Sequence, residues 1–473
     1  MFCPPFFYIK DSVFRGKKQT INLGNSNENA NFLTSRLANY FDKQAIEKLA
    51  KATNFIQRKS KLTAFKFLNT LMFVYQQGKE LSLLDMCSDL YVQYGIKIKK
   101  QSLHERFNKK AVAFMKDVLH RVLESQFEIA NKEALSVFNR IRIKDSTRFA
   151  LPAAYAQKYQ GHGGAIHNGE SLISIQYEYD LLSGNAMDLR LTNGRRNDQL
   201  DAKENTHDIV KNDLFLRDLG YATLVFLSQI IEKGAYFLNR LNSQFTVYYD
   251  ENPKEKIDFK KCTKQIKKQN LHYLEYNVLV GKKEQIPCRL IMTPVDEATY
   301  ERRIRKAQKS AKSKGYQLSE EFKIKARLTC YITNTEKDKI PACEVKKVYS
   351  LRWQIELTFK VWKSQAKVDK IKEMNIYRFE CQLMAKLIWL LIHKNIFKYL
   401  THCVNDNYQN KSCSIWKYYK HAYRINDMVR KIINKPNKLK QWLESLTDVA
   451  SWLFLLEPKN GKTTHYQALK ALA

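Results

Sequence analysis

Tyr349, Arg352, Glu356 and Lys363 stand in one segment at offsets of 3, 7 and 14 from the tyrosine. On a helix they fall at roughly 0°, −60°, −20° and −40°, a stripe roughly 60° wide and about 21 Å long. Leu351, Ile355, Phe359 and Trp362 cluster away from that stripe, so a phenol, two cations and a carboxylate line the edge of a buried face. The same spacing also describes a solvated ladder in which Arg352 and Glu356 are an i,i+4 pair. Two further carboxylates bear on the choice. Asp145 shares the apolar parity of Ile141 and Ile143, and Asp218 that of Leu214 and Leu216. A carboxylate on the inward parity of a strand is costly unless it is paired or metal-bound. Either aspartate alone also reads as a strand-end residue facing a loop. Two aspartates and a helical glutamate would make an all-oxygen site for Mg²⁺. Two such ions about 3.5–4 Å apart clamp the attacking and leaving oxygens of a phosphodiester.

The elements that must carry these residues follow from periodicity. Residues 1–30 read as a loose tail, and 31–135 as helical. Within the latter, the turn Lys97-Ile98-Lys99-Lys100 joins two short helices, the second capped by Ser102 and running to Lys110. The pair is either a helix-turn-helix or an ordinary helical neighbour. From Phe138 the period changes to two. Three strands precede an alternation of helix and strand over 136–241, which means a mixed α/β sheet. Longer β-like pieces fill 242–341, interrupted by a basic stretch from Arg302 to Arg327. A long helix is predicted from about Glu344 to Ala366 within 342–400, and shorter helices occupy 401–473. Gly461-Lys462-Thr463 fails as a phosphate loop because Leu456 stands where its first glycine must be. Gly161, His162, Gly163, Gly164, His167 and Gly169 read as a flexible turn that needs no metal.

Composition sets the partner. The chain has 473 residues, 81 Lys+Arg and 47 Asp+Glu, for a net charge of +34. Such an excess repels itself and calls for a large polyanion, nucleic acid before an anionic membrane. The longest apolar run, Leu383 to Leu400, contains Lys386, His393, Lys394 and Lys398, so a buried helix is expected there and not a membrane span. Met1 to Ile9 has no basic leader, and no signal peptide is read. Nine cysteines, with no two spaced two to four residues apart, give no zinc knuckle and fit a reducing cytoplasm.

With these residues in hand, the chain resembles the DDE transposases of bacterial insertion sequences, specifically the insertion-sequence-four family. That family's signature is Tyr, two residues, Arg, three residues, Glu, six residues, Lys, and Tyr349, Arg352, Glu356 and Lys363 match each spacing. Asp145-Ser146-Thr147 resembles the first aspartate motif. Asp218-Leu219-Gly220-Tyr221 resembles the second, followed by Tyr236-Phe237-Leu238-Asn239-Arg240. The resemblance implies a ribonuclease-H-like mixed-sheet core in two parts, 136–241 and 342–400, interrupted by a β-rich insertion at 242–341. Helical regions would flank it, with 31–135 binding DNA. It implies Asp145, Asp218 and Glu356 as catalytic residues holding two Mg²⁺ ions, with Mn²⁺ as a substitute. Tyr349, Arg352, Lys363, Arg240, Arg302, Arg303 and Arg305 would hold DNA phosphates. The implied partners are double-stranded DNA, as terminal inverted repeats and target, and a second copy in a synaptic homodimer. The implied setting is the bacterial nucleoid. All six tryptophans lie outside 242–341, so any base stacking there would use Tyr249, Tyr273 or Tyr276. A nuclease of the same fold without strand transfer, or an inactive end-binding remnant, are the rival readings.

Overall fold

The computed structural model describes residues 41–74, 82–124, 126, 137–162, 170–204, 208–408, 411–434 and 439–457. The expectations for the tail 1–30, for Gly163, Gly164, His167 and Gly169, and for Gly461-Lys462-Thr463 lie outside these residues.

Helices come first: α1 (Lys43–Ala52), α2 (Ala64–Val74), α3 (Leu83–Tyr94), α4 (Lys100–His104) and α5 (Lys109–Glu124). A capping box between Ser82 and Asp85 opens α3, and Gly95 at φ 63° closes it. Ser102 lies inside α4, which starts at Lys100 without a side-chain cap and stops at His104, so Ser102 does not open a helix to Lys110. The meander β1 (Arg140–Ala150), β2 (Leu172–Asp180) and β3 (Ala186–Asn193) follows. Then come α6 (Asp198–Glu204), β4 (Asp213–Arg217), α7 (Leu224–Glu232), β5 (Tyr236–Arg240) and β6 (Val247–Tyr249). Next are α8 (Phe259–Gln269), β7 (Leu274–Val280), β8 (Ile286–Pro294), α9 (Glu297–Ser313), α10 (Glu320–Ala326) and β9 (Leu328–Thr333). The chain ends in α11 (Val345–Ser350), α12 (Trp353–Ser364), α13 (Ile376–Asn407), α14 (Ile415–Ala422), α15 (Asn426–Asn434) and α16 (Leu439–Leu453).

These elements form two bodies, with β1 and α12 running through both. The first holds the described residues within Met1–Asn131, Ser146–Arg195 and Ile355–Lys462. Its strands run β3-β2-β1, with β2 and β3 antiparallel and Tyr177 opposite Leu189. The 32 residues of α13 span about 48 Å and pack on α2, α5 and α16. The polar groups that argued against a membrane span are buried (Lys386, His393) or half-buried (Lys394, Lys398) here, each with a partner. Lys386 Nζ donates to the Lys367 carbonyl at 2.8 Å, His393 Nδ1 meets the Tyr418 hydroxyl at 2.9 Å, and Lys394 Nζ reaches the Tyr177 hydroxyl at 2.5 Å. Among the described residues no helix is long and apolar enough to cross a membrane. Arg430 of α15 ties the two ends of the sequence together. It grips Asp89 of α3 with two bonds of 2.6 Å and Asn69 of α2 with one of 2.7 Å.

The second body holds the described residues within Lys132–Asp145 and Arg196–Gln354. Its strand order is β1-β4-β5-β9-β8-β7-β6. β1, β4 and β5 are parallel, and the remaining neighbours are antiparallel. Strands parallel to β1 followed by antiparallel neighbours make the expected mixed α/β sheet. All five residues of β4 are buried, as a central parallel strand covered on both faces requires. One parity of β1 carries Arg140, Arg142 and Lys144 into the interior, where acids answer them. Arg140 pairs with Asp213, Arg142 with Asp208 at 3.0 Å, and Lys144 with fully buried Asp201 at 2.6 Å. The apolar core lies between α7, α8 and the sheet, around Phe215, Phe226, Phe237, Leu290 and Ile332.

Candidate active site

The two aspartates are brought together by strand register. β1 and β4 run parallel with Lys144 opposite Arg217, so Asp145 and Asp218, each the next residue, follow at the same level on neighbouring strands. Parallel neighbours lie about 4.8 Å apart. The C-terminal ends of parallel strands are where α/β sheets present their ligand groups. Asp145 is the sixth residue of β1, and Asp218 directly follows β4. Both are half-buried.

The sequence predicted one helix from Glu344 to Ala366; the structure has two. The chain tightens at the junction through i→i+3 bonds, Leu351 N to the Val348 carbonyl at 3.0 Å and Arg352 N to the Tyr349 carbonyl at 3.1 Å. Gln354 N does the same with the Leu351 carbonyl at 3.0 Å. Such 3₁₀-type turns eclipse residues three apart and break a single angular stripe. Tyr349 ends up almost wholly buried, its hydroxyl donating to the Arg217 carbonyl at 3.4 Å. Asn239 Nδ2 donates to that same carbonyl at 3.3 Å. The backbone immediately before Asp218 is thus held from β5 and from α11. Burial pushes the Tyr349 phenol up to about 12, with Arg352 lowering it and Asp218 raising it. It is therefore a neutral donor at any working pH.

Arg352, at the junction, turns to the first aspartate: Nη1 stands 3.5 Å from Asp145 Oδ2. Its guanidinium also lies over the rings of Tyr349 and Trp353, at 5.9 and 5.7 Å. Glu356 sits in the first turn of α12, where the helix dipole favours a carboxylate, and is half-buried. In the first body, Lys363 near the end of α12 bonds the Arg148 carbonyl at 3.1 Å. Among the described residues no group of three or more His, Cys, Asp or Glu is gathered closely enough to hold a metal ion. The donors themselves are hard carboxylate oxygens, which suit Mg²⁺ or Mn²⁺ rather than a thiophilic metal.

The other expected phosphate ligands differ among themselves. Arg240 ends β5 opposite Tyr331 and is exposed. Arg302 and Arg305 are exposed on α9, with Arg305 paired to Glu301 at 2.7 Å. Arg303 is bound to the backbone, donating to the Ala326 and Leu328 carbonyls at 2.9 and 2.8 Å and to the Thr329 hydroxyl at 2.7 Å. Of the aromatic residues considered for stacking, Tyr249 and Tyr276 pack edge to face at 5.5 Å, and Tyr273 is exposed. Sequence reasoning assigned no role to Asn239, although it had the residue in its motif, and overlooked the buried pair Lys144–Asp201. No spacing rule marks a side chain that donates to a backbone carbonyl.

The sequence profile described as the transposase DDE domain matches residues 137–392. The chain belongs to the DDE transposase family. The transposase for insertion sequence element IS231F of Bacillus thuringiensis subsp. israelensis is 30% identical over 453 residues, 91% of each chain. That for IS1151 of Clostridium perfringens is 32% identical over 390 residues, 78% of this chain and 81% of its own. Among solved structures, a piggyBac transposase synaptic complex with hairpin DNA covers 92% of this chain and 87% of its own, with TM-score 0.44 and 10% identity. The insertion-sequence resemblance is borne out, and so is the enzyme class: the DDE transposase is a metal-dependent polynucleotidyl transferase that acts on DNA.

Proposed function

We propose that this transposase binds the terminal inverted repeats of an insertion sequence and moves it by cut-and-paste, with Asp145, Asp218 and Glu356 as its catalytic carboxylates. The observation that carries the reading is the register of β1 and β4, which delivers Asp145 and Asp218 side by side with Arg352 at 3.5 Å from the first. Asp145, Asp218 and Glu356 would hold two Mg²⁺ ions, or Mn²⁺ in their place. Bound there, the ions supply activation of water for nicking and of the freed 3′-hydroxyl for joining.

The chain's own residues do the rest. Arg352 offers a fork to the phosphate beside the scissile bond, and in doing so releases Asp145 from its ion pair. Lys363, Arg240, Arg302 and Arg305 add phosphate contacts along the strand. The proposed contact of Tyr349 with phosphate requires its bond to the Arg217 carbonyl to open. Arg303 takes part only if it leaves the carbonyls it holds in this state. Joining two ends in one complex calls for a homodimer, and helices α1 to α5 are proposed to bind the repeat. The setting is the bacterial nucleoid.

The test is Glu356→Ala in the full-length protein. Metal-dependent nicking of a labelled element end should disappear while end binding persists; nicking at the wild-type rate removes Glu356 from the site. Adding a target plasmid separates joining from hydrolysis alone.

A further inference from the structure

Positive charge in the second body is unevenly neutralised. On α9, on α10 and just after it, part of the charge is answered locally: Arg305 by Glu301 at 2.7 Å, Lys323 by Glu320 at 2.5 Å, Lys325 by Glu321 at 2.7 Å and Arg327 by Glu297 at 3.0 Å. Arg302, Lys306, Lys309 and Lys312 of α9 are exposed and, among the described residues, not ion-paired within 4 Å. α8 is different. Its sequence, FKKCTKQIKKQ, carries Lys260, Lys261, Lys264, Lys267 and Lys268 and no acid. All five lysines are exposed, and among the described residues none is ion-paired within 4 Å. The acid beside them, Asp258, is the N-cap and accepts from the backbone N–H groups of Lys260 and Lys261 at 2.8 and 3.1 Å.

The five cations occupy one face. Taking Lys260 as zero, Lys264, Lys268, Lys261 and Lys267 fall at roughly 40°, 80°, 100° and −20°. The buried residues Cys262 and Ile266 fall at roughly 200° and 240°, on the opposite side. Lys260, Lys264 and Lys268 form a slanting row that rises about 12 Å along the helix. Like charges at i,i+4 repel, so this row weakens an isolated helix. The scaffold holds it in place nonetheless. Tyr276 donates to Gln265 at 3.0 Å, Lys325 of α10 lies over the Phe259 ring at 4.8 Å, and Asn270 ends the helix in the left-handed region. A rigid row of uncompensated charge fits a partner whose own charges are closely spaced. Duplex DNA presents one charge per about 1.7 Å of axis, so the row spans about seven.

We propose that α8 is a docking surface for the phosphates of duplex DNA, read without regard to sequence. The proposal rests on the reading that DNA is the substrate, and adds where its sequence-independent contact lies. Lysine is a point charge lacking the planar fork with which arginine reads guanine, and α8 has five lysines and no arginine. The surface therefore suits flanking or target duplex, whose sequence varies. An anionic membrane is the poorer fit, because the lysine face carries no apolar residue to insert.

The test uses the full-length protein and a labelled duplex of arbitrary sequence, with anisotropy followed across a NaCl titration. Each lost phosphate contact flattens the log–log salt slope by about 0.9, so Lys260→Gln/Lys264→Gln/Lys268→Gln should flatten it by about 2.7. The same three changed to Arg should leave it intact. A control of equal charge loss on the first body, Lys420→Gln/Arg424→Gln/Lys431→Gln, should change it by less than about 1. An α8 triple with the wild-type slope overturns the proposal, as does an equal effect of both triples. Loss of binding to phosphatidylserine vesicles with DNA binding unchanged also overturns it, in favour of a membrane. End nicking by the wild-type protein is assayed in parallel. Failure to nick, with the α8 effect intact, removes the catalytic reading and leaves this surface standing.

Discussion

Arg352→Ala should move metal use and cleavage in opposite directions. In the structure Arg352 is 3.5 Å from Asp145, and the two side chains are 8% and 21% exposed. At an effective dielectric constant near 20 the bare attraction at that distance is about 5 kcal/mol. Asp145 is partly open to water, so screening and side-chain entropy reduce the net worth to about 1 kcal/mol. Arg352 competes with a cation for Asp145, so removing it should lower the metal concentration needed for half-maximal activity, by about fivefold. The same change removes a charged fork from the DNA phosphate, worth about 1.5–3 kcal/mol, and kcat/KM at saturating metal should fall about 10- to 150-fold. Arg352→Lys keeps the charge and loses the fork: metal use near wild type, cleavage in between. The assay is nicking of a labelled end across a Mn²⁺ series, with Mn²⁺ binding measured by calorimetry. A metal requirement that rises together with the loss of cleavage would refute the reasoning, and would make Arg352 a residue that builds the site.

Two predictions concern the first body. Arg430→Met leaves the half-buried Asp89 carboxylate without its two-pronged partner and should cost about 3 kcal/mol, seen as a lower midpoint in urea; a further Asp89→Leu change should recover part of that loss, and no recovery counts against the pair as the cause. Lys386 is depressed to about 7 by burial, with Asp369 opposing. The unfolded chain holds this proton up to about pH 10.4 while the folded chain releases it near 7, so stability rises with pH across that window. Lys386→Met should therefore raise Tm most below pH 7, and its advantage should shrink toward pH 10; a gain independent of pH would show that burial of charge is not the reason.

Much of the plan was legible. The change of period at Phe138 located β1, and the alternation after it predicted the mixed sheet. Parity singled out Asp145 and Asp218, although residues 141–144 of β1 and all of β4 are buried on both parities and parity there carries no contrast. What defeated the reading was tertiary. The helical period runs unbroken through Leu351 and Arg352, so nothing local announces the turn that sends Tyr349 toward the Arg217 carbonyl and Arg352 toward Asp145. Arg303 looks like its exposed neighbours in sequence, yet it fastens the start of β9. Nothing in the sequence marks the basic residues inside β1 as buried, since the acids that answer them come from about 60 to 70 residues downstream.

The chain leaves the edge of β5 after Arg240 and returns to it at β9. Leu241 N bonds the Cys330 carbonyl at 2.9 Å, and Arg240 faces Tyr331 across antiparallel β5 and β9. What lies between is no loose appendage: Val278, Ile286, Leu290 and Met292 share one apolar core with Phe215 of β4 and Phe226 of α7. A change of side-chain volume there is felt by the strand that leads into Asp218, so the two must be altered together.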